Sequence, residues 1–385
     1  MRLHVTDLGR VRSAELELAP LTVLYGANNT GKSWLCNAIY SAGRRLSIAG
    51  RLDGFSFPAP GEIKAPAAIT AAIAAAKATL EGKDGSEHKV VLQQSEIGEL
   101  GPEGGVSATG GTLSRWLGVP DQLPPGAVFR WRMEPEDVRL FHTVEAKLKR
   151  RGGNIAIDAE IKGEHFDPLP LEQSVARHEI ASAILNLSGW LRDGIFRRAV
   201  ALPEERLGLI EGGGARVRDG SQDRPWLSEA ARDASRVLGE LRSYGPETRA
   251  GLGGDPELSR RLWDEVLGGV VEMDAAGELA FRQGVLRLPI AAAGAGVRAL
   301  ALLSLYLEFL ASPGDLVVID APELGLGARA RDALADLLLG MPERGYLLVV
   351  ATRDPGLAAA LGRSKQACSY ALEEQPDGHV RIGAG

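Results

Sequence analysis

The chain is poor in cysteine, in aromatic residues and in long apolar runs, and it carries no excess of positive charge. Its two cysteines, Cys36 and Cys368, stand far apart, which excludes a dense disulfide framework and a four-cysteine zinc site. A reducing cytoplasm is the simplest compartment for such a chain. Aromatic residues make up 5% of the 385 positions, so a core has to be built mainly from Leu, Val, Ile and Ala. The longest apolar stretch, 300–311, is broken by Glu308 and falls short of the ~20 residues that span a bilayer. It reads as a buried helix, with no membrane partner. The opening MRLHVTDLGRVRS lacks the apolar segment of a secretory signal. A formal net charge of −6 excludes a wholly basic nucleic-acid binder but leaves room for a local basic strip.

What the chain does have is length and glycine. At ~100–200 residues per domain, its length predicts about two or three domains. The 48 glycines amount to about an eighth of the positions, against a usual ~7%. The first 25 residues alternate as strands over 2–5, 14–18 and 21–25. The third run ends in GANNTGKS, and a helical pattern begins with Trp34, Leu35, Ala38 and Ile39. Residues 50–125 are rich in Pro and Gly around one Ala-rich helix over 67–80, and read as an insertion of helix and loops. Strand patterning returns over about 127–161. Residues 171–199 read as helical, followed by ALPEERLGL, a Gly-rich loop, helices over 226–244 and 256–267, and short strands over 270–288. From 285 the pattern alternates: a helix over 294–310, the buried strand DLVVI, a helix over 328–339, the buried strand YLLVVA, a helix from 356 and two closing strands. Strands alternating with helices predict an α/β sheet covered on both faces.

GANNTGKS satisfies G-x-x-x-x-G-K-[ST] through Gly26, Gly31, Lys32 and Ser33. The spacing has a mechanical reason. The loop has to curl so that the amides of Asn28, Asn29, Thr30 and Gly31 point at one phosphate, and the glycines allow the close approach. The helix that follows offers its positive N-terminus to the same anion. Lys32 then reaches the β- and γ-phosphates, and the Ser33 hydroxyl serves Mg²⁺. A second Mg²⁺ group has to come from the end of a neighbouring buried strand, and Asp320, closing DLVVID, fits. The predicted fold is therefore a P-loop NTPase, and the predicted ligands are ATP and Mg²⁺.

The pairing of GANNTGKS with VIDAPELGLG resembles the ABC-type ATPase heads of the SMC/RecF/OLD-like group. The likeness covers 1–45 and 285–360, and PEER (203–206) resembles a P-x-x-R element of bacterial members. On this resemblance the chain divides into an N-terminal ATPase lobe (1–49), a helix and loop insertion (50–125), a β-rich part of the ATPase core (126–170), a helical signature-side insertion (171–284) and a C-terminal lobe (285–385). The resemblance implies a mixed sheet flanked by helices, with ATP sandwiched between paired heads. A signature loop, a catalytic Glu and a switch His would complete the site.

The chain departs from that pattern at all three places. Ala321 stands where the water-polarising Glu is expected, and a methyl group cannot take a proton. Gly294 and Ala295 stand at the expected signature serines, although Gly296 and the helix start remain for backbone contact with a phosphate. Arg353 stands at the switch His, as a fixed cation. One departure would fit an engineered trap; three fit a naturally weakened site, with local compensation as the alternative. The implied function is a nucleotide-gated dimerisation or partner-docking head with weak or lost hydrolysis. The implied partner is a second copy or an effector protein, in the setting of antiphage defence or DNA transactions. The alternatives are an active DNA-associated ATPase with non-standard residues and a scaffold that retains only the fold. Nucleic acid is a candidate partner through Arg130, Arg132, Arg139, Lys147, Lys149, Arg150 and Arg151, interleaved with Trp131 and Phe141; the competing reading is a solvated strand face. Arg206 either reaches the nucleotide or a partner, or anchors a loop by a salt bridge. Glu323 reads as structural, and Cys36 as a packing residue.

Overall fold

The computed structural model describes residues 1–47, 67–93, 105–119, 122–132, 143–152, 154–162, 169–176, 196–211 and 227–384. In chain order the strands are β1 (Arg2–Leu8), β2 (Val11–Glu17), β3 (Leu21–Gly26), β4 (Glu87–Gln93), β5 (Gly105–Thr109), β6 (Val128–Arg132), β7 (Thr143–Arg151), β8 (Asn154–Lys162), β9 (Leu169–Ala176) and β10 (Ala199–Leu202). They continue as β11 (Val270–Met273), β12 (Leu279–Gln283), β13 (Leu286–Pro289), β14 (Leu316–Asp320), β15 (Leu347–Thr352), β16 (Ala367–Glu374) and β17 (Val380–Ala384). The helices are α1 (Lys32–Arg45), α2 (Ala67–Glu81), α3 (Gly110–Leu117), α4 (Arg206–Glu211), α5 (Glu229–Ser243), α6 (Pro246–Ala250), α7 (Pro256–Arg261), α8 (Ala295–Phe309), α9 (Ala328–Gly340) and α10 (Pro355–Leu361). A π-helical turn, Leu262–Leu267, continues α7.

Two compact units result. The first combines Met1–Arg44, Val106–Arg132 and Ala199–Gly385. Its sheet runs β10-β14-β15-β3-β16-β17-β2-β1-β6-β5. The strands from β10 to β16 are parallel, and β1 pairs antiparallel with both β2 and β6. This is an α/β fold with a mixed sheet flanked by helices. The sequence explains the parallel half. LVVID of β14 is buried at every position, as a strand covered on both faces requires. Helix α1 packs close on one side, where a Cβ on Gly43 would come 2.3 Å from Leu316 Cδ2. Helices α8 and α9 join a core with Val317, Ile319, Leu348 and Val350. Helix α8 buries a continuous run from Ala299 to Leu307, as its unbroken apolar stretch predicts. No helix among the described residues is long and apolar enough to cross a membrane.

The second unit combines Arg45–Gly105 and Met133–Arg198. It holds a four-stranded sheet, β4-β7-β8-β9, in which all three pairings are antiparallel, with α2 packed on it. Here the structure departs from the pattern expected along the chain. Strands β7, β8 and β9 build their own sheet instead of joining the ATPase core, and only β6 of the 126–170 segment lies in the large sheet. The 50–125 segment contributes β4 to the small sheet, and β5 and α3 to the first unit. Residues 171–176, expected as helix, pair with β8 as strand β9; the rest of that expected helix up to 195 lies outside the described residues.

The basic strip is divided as well. Arg130 and Arg132 stand on β6, while Lys147, Lys149, Arg150 and Arg151 stand on β7 in the other unit. On the exposed face of the small sheet, Lys147 sits between Asp158 and Lys89, and Lys149 sits opposite Glu87. Glu145 bonds Lys89 at 3.0 Å and Lys162 at 2.7 Å. Ion pairs on this face centre on Glu145. Arg139 and Phe141 lie outside the described residues.

Near the end of α8, Glu308 is half-buried, and its Oε2 has no hydrogen-bond partner among the described residues. Burial pushes its carboxyl up to about 7, with Arg249 pulling it back and Glu272 adding to the rise. The folded protein therefore holds this proton more tightly than the unfolded chain. Stability from this group is highest below pH ~4.5 and falls as pH rises through about 7. Glu308→Gln should stabilise the protein by about 1–2 kcal/mol at pH 8, after allowance for solvent screening, and by nothing at pH 4. Urea unfolding at the two pH values checks this; an equal effect at both would refute it.

Candidate functional site

The parallel strands β3, β10, β14 and β15 all end at one edge of the large sheet, and the chain leaves each of them in a turn. Open α/β sheets bind ligands at this carboxyl edge. A cavity of ≈ 470 Å³ lies there, with Lys32, Ser33, Glu204, Asp320, Ala321 and Arg353 in its wall.

The phosphate loop joins β3 to α1. Gly26 has φ +157°, and a Cβ there would come 2.4 Å from the Leu372 carbonyl oxygen. Gly31 has φ +88° and Asn29 φ +63°, the latter a residue type that tolerates the left-handed region. Thr30 is buried and ties the loop across itself, donating to the Ala27 carbonyl at 2.9 Å. Asn28, Asn29, Thr30, Gly31, Lys32 and Ser33 all line the cavity. Lys32 Nζ donates to the carbonyls of Gly26 at 2.9 Å and Ala27 at 2.6 Å. Burial lowers its pKa, opposed first by the charge of Asp320.

Asp320 closes β14 and reaches the same cavity. Burial raises its carboxyl to about 6, and a hydrogen bond with Ser33 pulls the other way. A hydroxyl and a carboxylate held together are hard oxygen donors of the kind Mg²⁺ takes. Burial disfavours the charged carboxylate, and a divalent cation bound beside it would favour that charge. These residues fit the metal.

Ala321 follows with φ +47°, in the left-handed region, where a Cβ costs about 1–2 kcal/mol. Its amide donates to the Ala351 carbonyl at 2.8 Å. Arg206 holds the turn from the other side. This guanidinium is fully buried and donates to the carbonyls of Asp320 and Ala321, to Pro203 O at 2.9 Å and to Ala299 O at 2.6 Å. Of the roles the sequence left open for Arg206, the loop anchor is the one realised. Its partners are backbone carbonyls and not carboxylates, and it does not line the cavity.

Arg353 stands on the cavity wall beside Asn28, with Nη1 at 3.5 Å from Asn28 Oδ1. Its amide donates to Glu323 Oε1 at 3.0 Å, which gives the buried Glu323 a structural role. Gly294 and Gly296 do not line the cavity. Gly294 is the exposed N-cap of α8. Gly296 is buried against the loop after Asp320, where a Cβ would come 2.9 Å from the Gly325 carbonyl. Cys36 is fully buried, and burial pushes its thiol well up, as for a packing residue.

Sequence reasoning missed Gly9, Arg10, Trp34 and Glu204 as cavity residues. The β1–β2 turn brings in the first two. Arg10 donates to the Asn29 carbonyl at 3.2 Å, and Gly9 lies so close to the Trp34 ring that a Cβ would come within 2.4 Å of it. The helical register of Trp34, directly after GKS, was the one signal available.

No family model and no curated protein matches the chain. Solved structures do. An SMC head domain from Thermotoga maritima matches with a TM-score of 0.38 and 12% identity, over 100% of this chain and 98% of that one. An Smc head bound to the C-terminal winged-helix domain of ScpA matches with a TM-score of 0.40 and 14% identity, over 100% and 97%. An Smc head with an extended coiled coil, bound to the C-terminal domain of ScpA derived from Pyrococcus furiosus, matches with a TM-score of 0.38 and 13% identity, over 100% and 95%.

Proposed function

We propose that the chain is an ATP-binding ABC-type head of the SMC/RecF/OLD-like kind, working as a nucleotide-gated dimerisation or partner-docking module. The observation that carries this is the convergence of the phosphate loop, Lys32, Ser33 and Asp320 on one cavity. The loop amides and the α1 N-terminus would hold the phosphates. Ser33 and Asp320 would hold Mg²⁺, which when bound neutralises phosphate charge. Gly294 and the start of α8, exposed and outside the cavity, suit contact with the nucleotide of a second copy. An effector protein is the other partner, and a cytoplasmic defence or DNA-transaction complex is the setting that fits. Ala321 and Arg353 favour slow hydrolysis, so the loaded state would persist.

Calorimetry with ATP and Mg²⁺, followed by sedimentation velocity, tests the reading. The expected result is one ATP bound per chain and a rise in mass that requires both ATP and Mg²⁺. A wild-type protein that binds no ATP ends the proposal. One that binds ATP and stays monomeric without an effector shifts it to the docking form.

A further inference from the structure

The cavity holds a carboxylate that neither the motifs nor the phosphate loop accounts for. Strand β10 runs parallel to β14 with Leu202 opposite Ile319. Two residues further along each chain, Glu204 and Ala321 leave the sheet at the same edge, and both line the cavity. The two turns are fastened together by one buried group. Arg206 donates to Pro203 O, directly before Glu204, and to the carbonyls of Asp320 and Ala321. A buried, multiply bonded guanidinium leaves little play between the turns, the kind of support a functional side chain needs. Glu204 is exposed and lines the cavity, with no hydrogen bond or ion pair among the described residues. Its charge is felt at Lys32, Asp320 and Arg206. Its neighbour Glu205 is equally exposed but does not line the cavity.

We propose that Glu204 supplies the carboxylate that Ala321 cannot, orienting the attacking water at the terminal phosphate of ATP and taking its proton. The inference rests on the ATP-binding reading above. In the step, the water oxygen bonds to the γ-phosphorus and the bond from that phosphorus to the β,γ-bridging oxygen breaks. The electron pair leaves with ADP, and the water proton passes to Glu204 and then to solvent. Arg206 is a positioning residue for this group. The gate then opens at the rate that Glu204 allows.

The test combines ATP·Mg²⁺ affinity by calorimetry with single-turnover phosphate release, for wild type, Glu204→Gln, Glu205→Gln and the double variant Glu204→Gln/Ala321→Glu. Glu204→Gln should leave Kd within about threefold and slow phosphate release about 100-fold or more, the range for a positioned base. Glu205→Gln should change neither. The double variant should regain at least about tenfold over Glu204→Gln, because it returns a carboxylate to the adjoining turn. Release within threefold of wild type in Glu204→Gln, or equal slowing in the two single variants, overturns the assignment. So does a tenfold loss of affinity with an unchanged rate at saturation. Wild type that binds ATP without hydrolysing it overturns this step and leaves the ATP-binding reading intact; wild type that binds no ATP removes that reading itself.

Discussion

Arg206→Met is expected to destabilise the first unit by about 2–4 kcal/mol, because a buried donor is lost to carbonyls that cost about 1–3 kcal/mol each when left unpaired. The arginine donates to four carbonyls, those of Pro203, Ala299, Asp320 and Ala321, and it is fully buried. Methionine fills the space of the stem but donates nothing. Pro203 O keeps the amide of residue 206 and Ala321 O keeps that of Leu324, so the loss falls mainly on the remaining carbonyls, at about 1–3 kcal/mol for one left without a partner. The arginine carries a cost of its own, since burial lowers its pKa. That cost makes the four bonds obligatory: a buried guanidinium that kept only some of them would be a liability. Arg206→Lys should recover less than half of the loss, because an ammonium cannot reproduce the planar fork that spans two turns and a helix. The same loss frees Ala321 from its left-handed conformation, so both Arg206 variants should also blur the cavity. Urea unfolding read by circular dichroism measures the effect, and a shift below ~1 kcal/mol for Arg206→Met would show that the carbonyls find other partners.

Residues whose spacing is dictated by backbone geometry were legible in the sequence. Gly26, Gly31, Lys32 and Ser33 have their separations because a loop must curl around one anion, and that requirement leaves its mark on consecutive positions. Asp320 was legible because β14 is buried on both faces and announces itself as an unbroken apolar run. The small sheet was not legible. The alternation in β7 and β8 reports a half-buried strand and says nothing about which sheet completes it. Strand β9 failed for a related reason: Leu171 and Val175 are four apart, a spacing that suits a helix face, and the pairing with β8 decided otherwise. Glu204 left no local mark at all. PEER is a short polar turn, and only the register of β10 on β14 brings its first glutamate to the cavity. A carboxylate that stands in for a residue expected elsewhere in the chain is hidden from the sequence in general, since it need only be near in space.

Lys32→Ala is expected to behave in the opposite way to Arg206→Met, losing ligand and keeping the fold. Lys32 Nζ donates to the carbonyls of Gly26 and Ala27 and lies 3.4 Å from Thr30 Oγ1. Those bonds are offset by the desolvation that lowers its pKa. Removing the side chain forfeits both, so the unliganded stability should change by less than ~1 kcal/mol, unlike the loss at Arg206. The loop also keeps its shape without the ammonium, because the Thr30–Ala27 bond and the glycine conformations are independent of it. With ATP·Mg²⁺ the balance changes. A charge-assisted hydrogen bond to phosphate contributes about 1.5–3 kcal/mol in place of bonds to neutral carbonyls. Affinity should therefore fall by about 10- to 150-fold, at 1.4 kcal/mol per tenfold. Calorimetry of wild type and Lys32→Ala, with urea unfolding of both, separates the two quantities. Equal affinity in the two proteins would mean that the ammonium never leaves the loop carbonyls, and that the cavity does not use Lys32 for phosphate. Equal loss of affinity and stability would make Lys32 one more structural clamp like Arg206. The predicted split, with binding lost and fold retained, is what separates a ligand-binding lysine from a buried cation that holds the backbone.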